Sequence, residues 1–248
     1  MVTKLLEGGN VFKTPKGEPA TGRIARDNVV PTVQWLEQLT GLNLIDNMLG
    51  STGKAETSGD LDLGIDSTKV SKDTLVNQLL KKGVKSIDIK KSGDAVHYKA
   101  PVLGDASNGF VQVDFMFTEN PNWQHFYMAG GVAGSQFKGV HRNVLMASLA
   151  KAQNMKFSPK FGLLDRATNE VITQDPNEIA VRLLGQGHTA KDLVSVEKII
   201  NSIKGRPEFE QLVADAKEAF AKDNLVLPES SPLPGTGAWF RSWQNLDI

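Results

Sequence analysis

Three aspartates hold the clearest chemistry in this sequence. Asp60 and Asp62 alternate in the apolar run Asp60-Leu61-Asp62-Leu63-Gly64-Ile65. On a strand, residues i and i+2 share a face, roughly 7 Å apart. Asp114 lies in Val111-Gln112-Val113-Asp114-Phe115-Met116-Phe117, where β-branched and aromatic residues predict a second strand. If the strands lie side by side, the three carboxylates converge. An all-oxygen donor set suits Mg²⁺, which takes its remaining ligands from water and phosphate. Two such ions, about 3.5–4 Å apart, clamp the attacking and leaving oxygens in phosphoryl transfer. Acids on one face repel each other, and a divalent cation relieves that repulsion.

A second feature lies just upstream. The run Met48-Leu49-Gly50-Ser51-Thr52-Gly53-Lys54-Ala55-Glu56-Thr57-Ser58-Gly59 predicts a Gly-Ser turn followed by further turn residues. Gly50 and Ser51 offer bare backbone N–H groups and a hydroxyl to a polyphosphate. Lys54 adds a point charge. Gly53 and Gly59 suit backbone with positive φ. An isolated Asp-x-Asp pair is most simply a solvated strand face. Gly50-Ser51 before it and Asp114 after it favour the metal site.

In that order the residues resemble the DNA polymerase beta (family X) branch of the nucleotidyltransferases. The shared pattern is Gly-Ser, a basic residue three after the Ser, Ser-Gly-Asp-x-Asp, and a later strand with one Asp. The likeness continues through Ala133-Gly134-Ser135-Gln136-Phe137, Arg142-Asn143-Val144-Leu145, Ala150-Lys151, Met155-Lys156-Phe157-Ser158, Phe161-Gly162-Leu163, Glu178-Ile179 and Leu183-Leu184-Gly185. These follow the order of that family's thumb. Coverage runs from about Leu44 to Gly185. The resemblance implies that Asp60 and Asp62 bridge two Mg²⁺, with Mn²⁺ as an alternative, and that Asp114 binds the catalytic ion beside the attacking hydroxyl. It implies nucleotide binding by Gly50, Ser51, Lys54, Ser58, Gly59, Gly134 and Ser135. Three positions depart from the family pattern. Lys54 stands where an Arg is usual, keeping the charge and losing the bidentate fork. Gln112 replaces an Arg two before the third acid. Gly131 and Val132 replace a Tyr-Phe pair before Gly134-Ser135, with Phe126 and Tyr127 further upstream.

The composition is ordinary for a globular protein: 248 residues, 40% hydrophobic, 23% charged, formal net charge zero. With no Cys, disulfides and thiolate zinc are excluded and a reducing, cytoplasmic setting is expected. No run is apolar enough for a signal peptide core or a membrane span. None of the four His residues has metal-ligand spacing, so core or surface roles are expected for each. Charge is unevenly distributed. From Asn120 to Leu164 there is no Asp or Glu, and the stretch holds Lys138, Arg142, Lys151, Lys156 and Lys160. Such a region is either a solvated surface or a phosphate track for nucleic acid.

The elements that must position these residues follow from pattern. Residues 1–26 read as an extended arm. A helix is expected from Asn28 to Thr40, capped by Asp27 and ended by Gly41. Leu44–Leu49 is expected to be a strand antiparallel to Asp60–Ile65. Leu75, Val76, Leu79 and Leu80 predict a helix over Lys72–Lys82. Val84–Lys90 and Asp94–Ala100 predict a hairpin turning at Ser92-Gly93. Beyond Asn120 helices are expected over Lys138–Asn154, Asn177–Leu184, Asp192–Lys204 and Pro207–Lys222, with a small strand pair within Phe161–Thr173. Met146, Leu149, Phe157 and Phe161 read as core.

The expected fold is α/β (α+β): a nucleotidyltransferase-type mixed sheet flanked by helices, with a helical, thumb-like C-terminal region. The expected divisions are an arm (1–26), a palm (27–119), a thumb-like helical region (120–227), and a Pro/Gly linker with an aromatic tail (228–248). The expected activity is transfer of a nucleoside monophosphate from a nucleoside triphosphate to a hydroxyl, with release of pyrophosphate. A nucleic-acid 3′-hydroxyl is the leading acceptor. The 49 residues before Gly50 are too few for the DNA-end-binding modules of the family's repair polymerases, so gap filling anchored on a 5′-phosphate is not expected. Template-independent modification of RNA, protein or a small molecule, and a non-catalytic nucleotide-binding role, stay open. No membrane partner is expected, and the oligomeric state is undetermined by sequence.

Overall fold

Partial alternation of apolar and polar residues underlies a four-stranded mixed sheet in a computed structural model of the protein, which describes residues 10–129, 137 and 139–222. The chain forms two compact units, Met1–His125 and Phe126–Ile248.

In the first unit a short strand, β1 (Ile24–Ala25), runs directly into α1 (Arg26–Thr40). β2 (Thr57–Ser58) pairs antiparallel with β1. Then come β3 (Asp60–Asp66), α2 (Lys72–Lys81), β4 (Ile89–Ser92), β5 (Ala95–Pro101) and β6 (Phe110–Thr118). The sheet order is β3-β6-β5-β4, with β3 parallel to β6 and the other pairs antiparallel. One face carries Leu61, Leu63, Val96, Tyr98, Val113 and Phe115, which pack with Val29, Val33 and Leu36 of α1 and Leu75 and Leu79 of α2. Burial of this face is the main stabilising term of the unit. The other face carries every second residue: Asp60, Asp62, Gln112, Asp114, His97 and Lys90. Period-2 alternation thus assigns apolar residues to the core and polar residues to one shared surface.

Several expected boundaries shift for identifiable reasons. α1 starts two residues early, so Pro31 lies inside it rather than in its first turn. Its N-cap is Ala25, without a side-chain cap, and the Arg26 N–H instead donates to the Glu56 carbonyl at 2.9 Å. Gly41 ends the helix at φ +71°, as expected. The strand expected over Leu44–Leu49 is a 3-10 turn, Ile45–Asn47. The Glu37 carboxylate accepts from the N–H groups of Leu44 and Ile45 at 2.7 and 2.9 Å, taking donors a sheet ladder would need. Only a single antiparallel bridge, Met48 to Leu63, remains of the expected pairing. The hairpin turns one residue later than expected, at Gly93-Asp94, with Ser92 opposite Ala95. The segment from Asn10 to Ala25 is tied to the sheet: Val11 N–H donates to Gln112, Gly22 N–H donates to the Phe110 carbonyl, and Phe12 and Ile24 are buried.

α3 (Pro121–Tyr127) spans the division between the units. Within the first unit its Gln124 donates to the Met116 carbonyl at 2.9 Å. A Cβ at Gly64 would lie 2.7 Å from Gln124 Oε1, so a side chain there would have to displace the Gln124 amide.

The second unit holds α4 (Gly139–Ala152), then an antiparallel sheet of β7 (Met155–Ser158), β8 (Gly162–Asp165) and β9 (Val171–Thr173). α5 (Pro176–Leu184), α6 (Val196–Ile203) and α7 (Phe209–Lys222) follow. The helix expected to begin at Asp192 begins at Val196, because Ser195 caps it by accepting from Lys198 N–H at 3.2 Å. Met146 and Leu149 are buried as expected, but Phe161 is 46% exposed because it lies between β7 and β8 rather than on a core face. Among the described residues no helix is long and apolar enough to cross a membrane. The fold is therefore a mixed α+β structure.

Candidate metal centre

Parallel pairing of β3 with β6 sets Asp62 directly beside Asp114 and Asp60 beside Gln112. One carboxylate oxygen from each of Asp60, Asp62 and Asp114 lies within 4.8 Å of the others. The three acids singled out in the sequence therefore converge, and the cluster can hold a metal ion. Its electrostatics fit a cation. Burial raises the pKa of Asp60, and the Asp114 charge raises it further. Asp62 is pushed up to about 7 by burial, then by the charges of Asp60 and Asp114. Without a cation, part of the site's charge is suppressed by protonation. All three donors are carboxylates, which suits a hard divalent ion rather than zinc.

The backbone around Asp62 is fixed from both sides. Its carbonyl accepts from the Leu49 N–H at 2.9 Å, and its N–H donates to Thr52 Oγ1 at 3.0 Å. These contacts dock the Gly50–Gly59 segment against the strand that carries the acids. Gly50 has φ +60°, a left-handed conformation that a side chain would strain. Ser51 and Lys54 are exposed. Ser58 is buried, and its Oγ accepts from the Gly53 N–H at 3.3 Å, so this hydroxyl braces the turn from inside.

Two cations that the sequence pattern did not single out border the turn. Arg23 donates to Thr57 Oγ1 at 2.9 Å and to the Thr57 carbonyl at 3.0 Å. Its charge pulls the Asp60 pKa down, though less than burial and Asp114 raise it. A Cβ on Gly59 would come within 3.2 Å of the Arg23 guanidinium, so glycine there leaves room for the arginine. Arg26 donates to the Ala55 carbonyl at 3.0 Å. Both arginines flank β1, whose pairing with β2 brings them to the turn.

Asp114 is also held from two directions. Gln112 Nε2 donates to its Oδ2 at 3.1 Å, while Gln112 Oε1 accepts from the Val11 N–H at 2.8 Å. On the other side His97 Nδ1 lies 2.7 Å from Asp114 Oδ1, and His97 Nε2 lies 2.6 Å from Ser92 Oγ. No spacing in the sequence links His97 to Asp114; only the register of β5 on β6 does.

The expected phosphate track is placed differently. Arg142 is 2% exposed. Its guanidinium donates to the carbonyls of Phe126 and Tyr127 at 2.7 and 3.1 Å and to Asn143 Oδ1, and it lies 5.0 Å from the Phe126 ring centre. Burial pulls its pKa down to about 10. Arg142 is thus an internal cap for the last carbonyls of α3 and not a surface contact for phosphate, which corrects the sequence-based expectation. Lys151 is exposed at the end of α4. Lys156 donates to Asn169 Oδ1, and Lys160 sits 5.6 Å from the Phe161 ring centre. Gly134, Ser135 and Lys138 lie outside the described residues. Compared with protein-family models and with curated proteins, the chain gives no match.

Proposed function

We propose that the protein is a nucleotidyltransferase of DNA polymerase beta-like type. It would transfer a nucleoside monophosphate from a nucleoside triphosphate to a hydroxyl and release pyrophosphate. The observation that carries this reading is the convergence of Asp60, Asp62 and Asp114 on adjacent parallel strands, beside a Gly50-Ser51 turn bordered by Lys54, Arg23 and Arg26. In this reading the polar face of the first unit's sheet is the palm, and the second unit supplies the thumb-like helical region.

Each group has a role that follows from its placement. Asp60 and Asp62 hold divalent cations from one strand, and Asp114 completes the set from the next. Bound there, two Mg²⁺ would stabilise the attacking and leaving oxygens of an in-line displacement at the α-phosphorus. The turn at Gly50 and Ser51 presents backbone donors and a hydroxyl to the β- and γ-phosphates. Lys54 and Arg23 offset the charge that collects on pyrophosphate as the bond to the α-phosphorus breaks. In this reading Asp114, on the neighbouring strand, would lie beside the acceptor hydroxyl.

A nucleic-acid 3′-hydroxyl is the first acceptor to test. Burial of Arg142 removes one of the five side chains expected to contact its backbone, and that observation favours keeping template-independent transfer as a second reading. The decisive experiment supplies α-labelled ribo- and deoxyribonucleoside triphosphates with Mg²⁺ or Mn²⁺. Acceptors are primer-template DNA, single-stranded DNA, RNA and the protein itself. Label transfer that is lost in Asp62→Asn supports the reading. Absence of transfer and of pyrophosphate release with every acceptor would falsify it.

A further inference from the structure

Both ring nitrogens of His97 are engaged, Nε2 by Ser92 and Nδ1 by Asp114. His97 is 8% exposed and sits on β5 directly opposite Asp114. An ionised carboxylate can only accept, so the 2.7 Å contact places the proton on Nδ1. On a neutral ring Nε2 then accepts from the Ser92 hydroxyl, 2.6 Å away, and on an imidazolium it donates to the Ser92 oxygen; Nδ1 donates to Asp114 in either case. Ser92 is at the exposed end of β4, so the chain of contacts passes from the sheet's outer edge to the acid cluster.

We propose that His97 is a positioning residue for the metal centre. Anchored at Nε2 by Ser92, it holds Asp114 in the orientation that ligates a divalent cation. The proposal rests on the reading of Asp60, Asp62 and Asp114 as a metal site.

The physical case begins with repulsion. Asp114 faces two carboxylates whose oxygens lie within 4.8 Å, and a freely rotating side chain would turn away from them. Two donors oppose that rotation, His97 on Oδ1 and Gln112 on Oδ2. Each takes one lone pair and leaves the other for a cation. The carboxylate plane is fixed before the ion arrives, so binding need not supply the cost of orienting it. Donors of this kind are worth about 10–100-fold in metal affinity or activity. His97 is not itself a ligand, because its nitrogens are already paired with Asp114 and Ser92. The same Ser–His–Asp order activates a serine in hydrolases. Here the carboxylate end faces two further acids, so the influence runs toward Asp114.

The test is Mn²⁺ titration followed by electron paramagnetic resonance, on wild type, His97→Leu, His97→Gln, Ser92→Ala and Asp62→Asn. His97→Leu should weaken Mn²⁺ binding by about 10–100-fold. His97→Gln, whose amide can donate to Oδ1, should recover most of that loss. Ser92→Ala, at an exposed position that leaves the core intact, should fall between wild type and His97→Leu, and it decides the matter if His97→Leu does not fold. Turnover should follow through kcat, with KM for the triphosphate nearly unchanged. Wild-type Mn²⁺ affinity in Ser92→Ala and His97→Leu, with loss in Asp62→Asn, overturns the positioning role and leaves the metal reading intact. No Mn²⁺ bound by wild type overturns both. Stoichiometric labelling of Ser92 by a fluorophosphonate would mark it as an activated nucleophile and overturn the assignment as well.

Discussion

In Met1–His125 the buried charges face one another, whereas in Phe126–Ile248 the buried charge of Arg142 faces backbone carbonyls. On one sheet face burial raises the cost of ionising Asp60 and Asp62, and the neighbouring carboxylates add to it. Arg142 is no less buried, but the Phe126 and Tyr127 carbonyls and the Asn143 side chain meet its guanidinium. The fold satisfies the arginine internally and gives Asp114 two partners, but leaves Asp60 and Asp62 in conflict with the neighbouring acids. A buried charge is therefore not in itself a functional signal. The signal is a buried charge whose neighbours aggravate it, because only something from outside the chain can then resolve it.

The sharpest way to break the comparison is to remove one member of each set. Asp62→Asn should lower nucleotidyl transfer by about 10²–10³-fold, the scale of losing one preorganised group that stabilises developing charge. Its fold should be at least as stable as wild type without added metal, since the substitution removes a charge that burial and two carboxylates oppose. Turnover by Asp62→Asn close to wild type, at saturating Mg²⁺, removes Asp62 from the site.

The next largest effect is on pH dependence. Asp62 has a folded-state pKa of about 7, against an ordinary carboxylate value of 3.8. Between those values the folded protein keeps a proton that the unfolded chain has lost. Stability must therefore fall as pH rises through that window, and it levels off above about 7. At about 1.4 kcal/mol per pKa unit the change amounts to a few kcal/mol at most. Melting of the chelator-treated protein should track it, and Mn²⁺ should restore stability chiefly above pH 7. Arg142, with a pKa near 10, contributes nothing over this range. Melting temperatures that do not change with pH in chelator would show that the acids are better solvated than their burial implies.

Arg142→Met is the reciprocal test. The aliphatic stem is largely replaced, and two helix-end carbonyls lose their donor. Orphaned acceptors cost about 1–3 kcal/mol, which denaturant unfolding resolves. Mn²⁺ affinity should be unchanged. If Arg142→Met leaves stability intact and lowers nucleic-acid affinity, the arginine reaches phosphate after all.

The contrast between the units also shows which parts of the molecule the sequence revealed. Asp60, Asp62 and Asp114 were legible because alternation fixes the face that each takes on its own strand. Two of the other site groups depend on pairings that no local pattern encodes. His97 meets Asp114 only through the β5–β6 register, and Arg23 reaches the turn only because β1 pairs with β2. The strand expected at Leu44–Leu49 fails because the Glu37 side chain captures its N–H groups. Arg142 was misread because counting basic residues treats each as solvated, and its burial is set by where α3 ends. Local pattern carries the face of a strand. It does not carry what lies across from it.

The smallest effect concerns Lys54, where the aspartate cluster's need for outside charge meets the triphosphate. Lys54 is exposed, and its N–H closes the turn on the Ser51 carbonyl at 3.0 Å. Its ammonium is thus free to swing, unlike Arg23, which Thr57 holds by two hydrogen bonds. An exposed cation contributes about 0.2–1 kcal/mol to a single ion pair. Lys54→Ala should therefore weaken triphosphate binding only about 1.5–5-fold. The loss should be greater for the triphosphate than for the matching monophosphate, because the charge sits beside the turn and not beside the acids. Arg23→Ala should cost more, since it also frees Thr57 and removes a cation that lowers the Asp60 pKa. Titrating tri- and monophosphate against both variants separates the cases. Equal losses for the two nucleotides would make Lys54 a solvated turn residue and move the phosphate subsite toward Arg23.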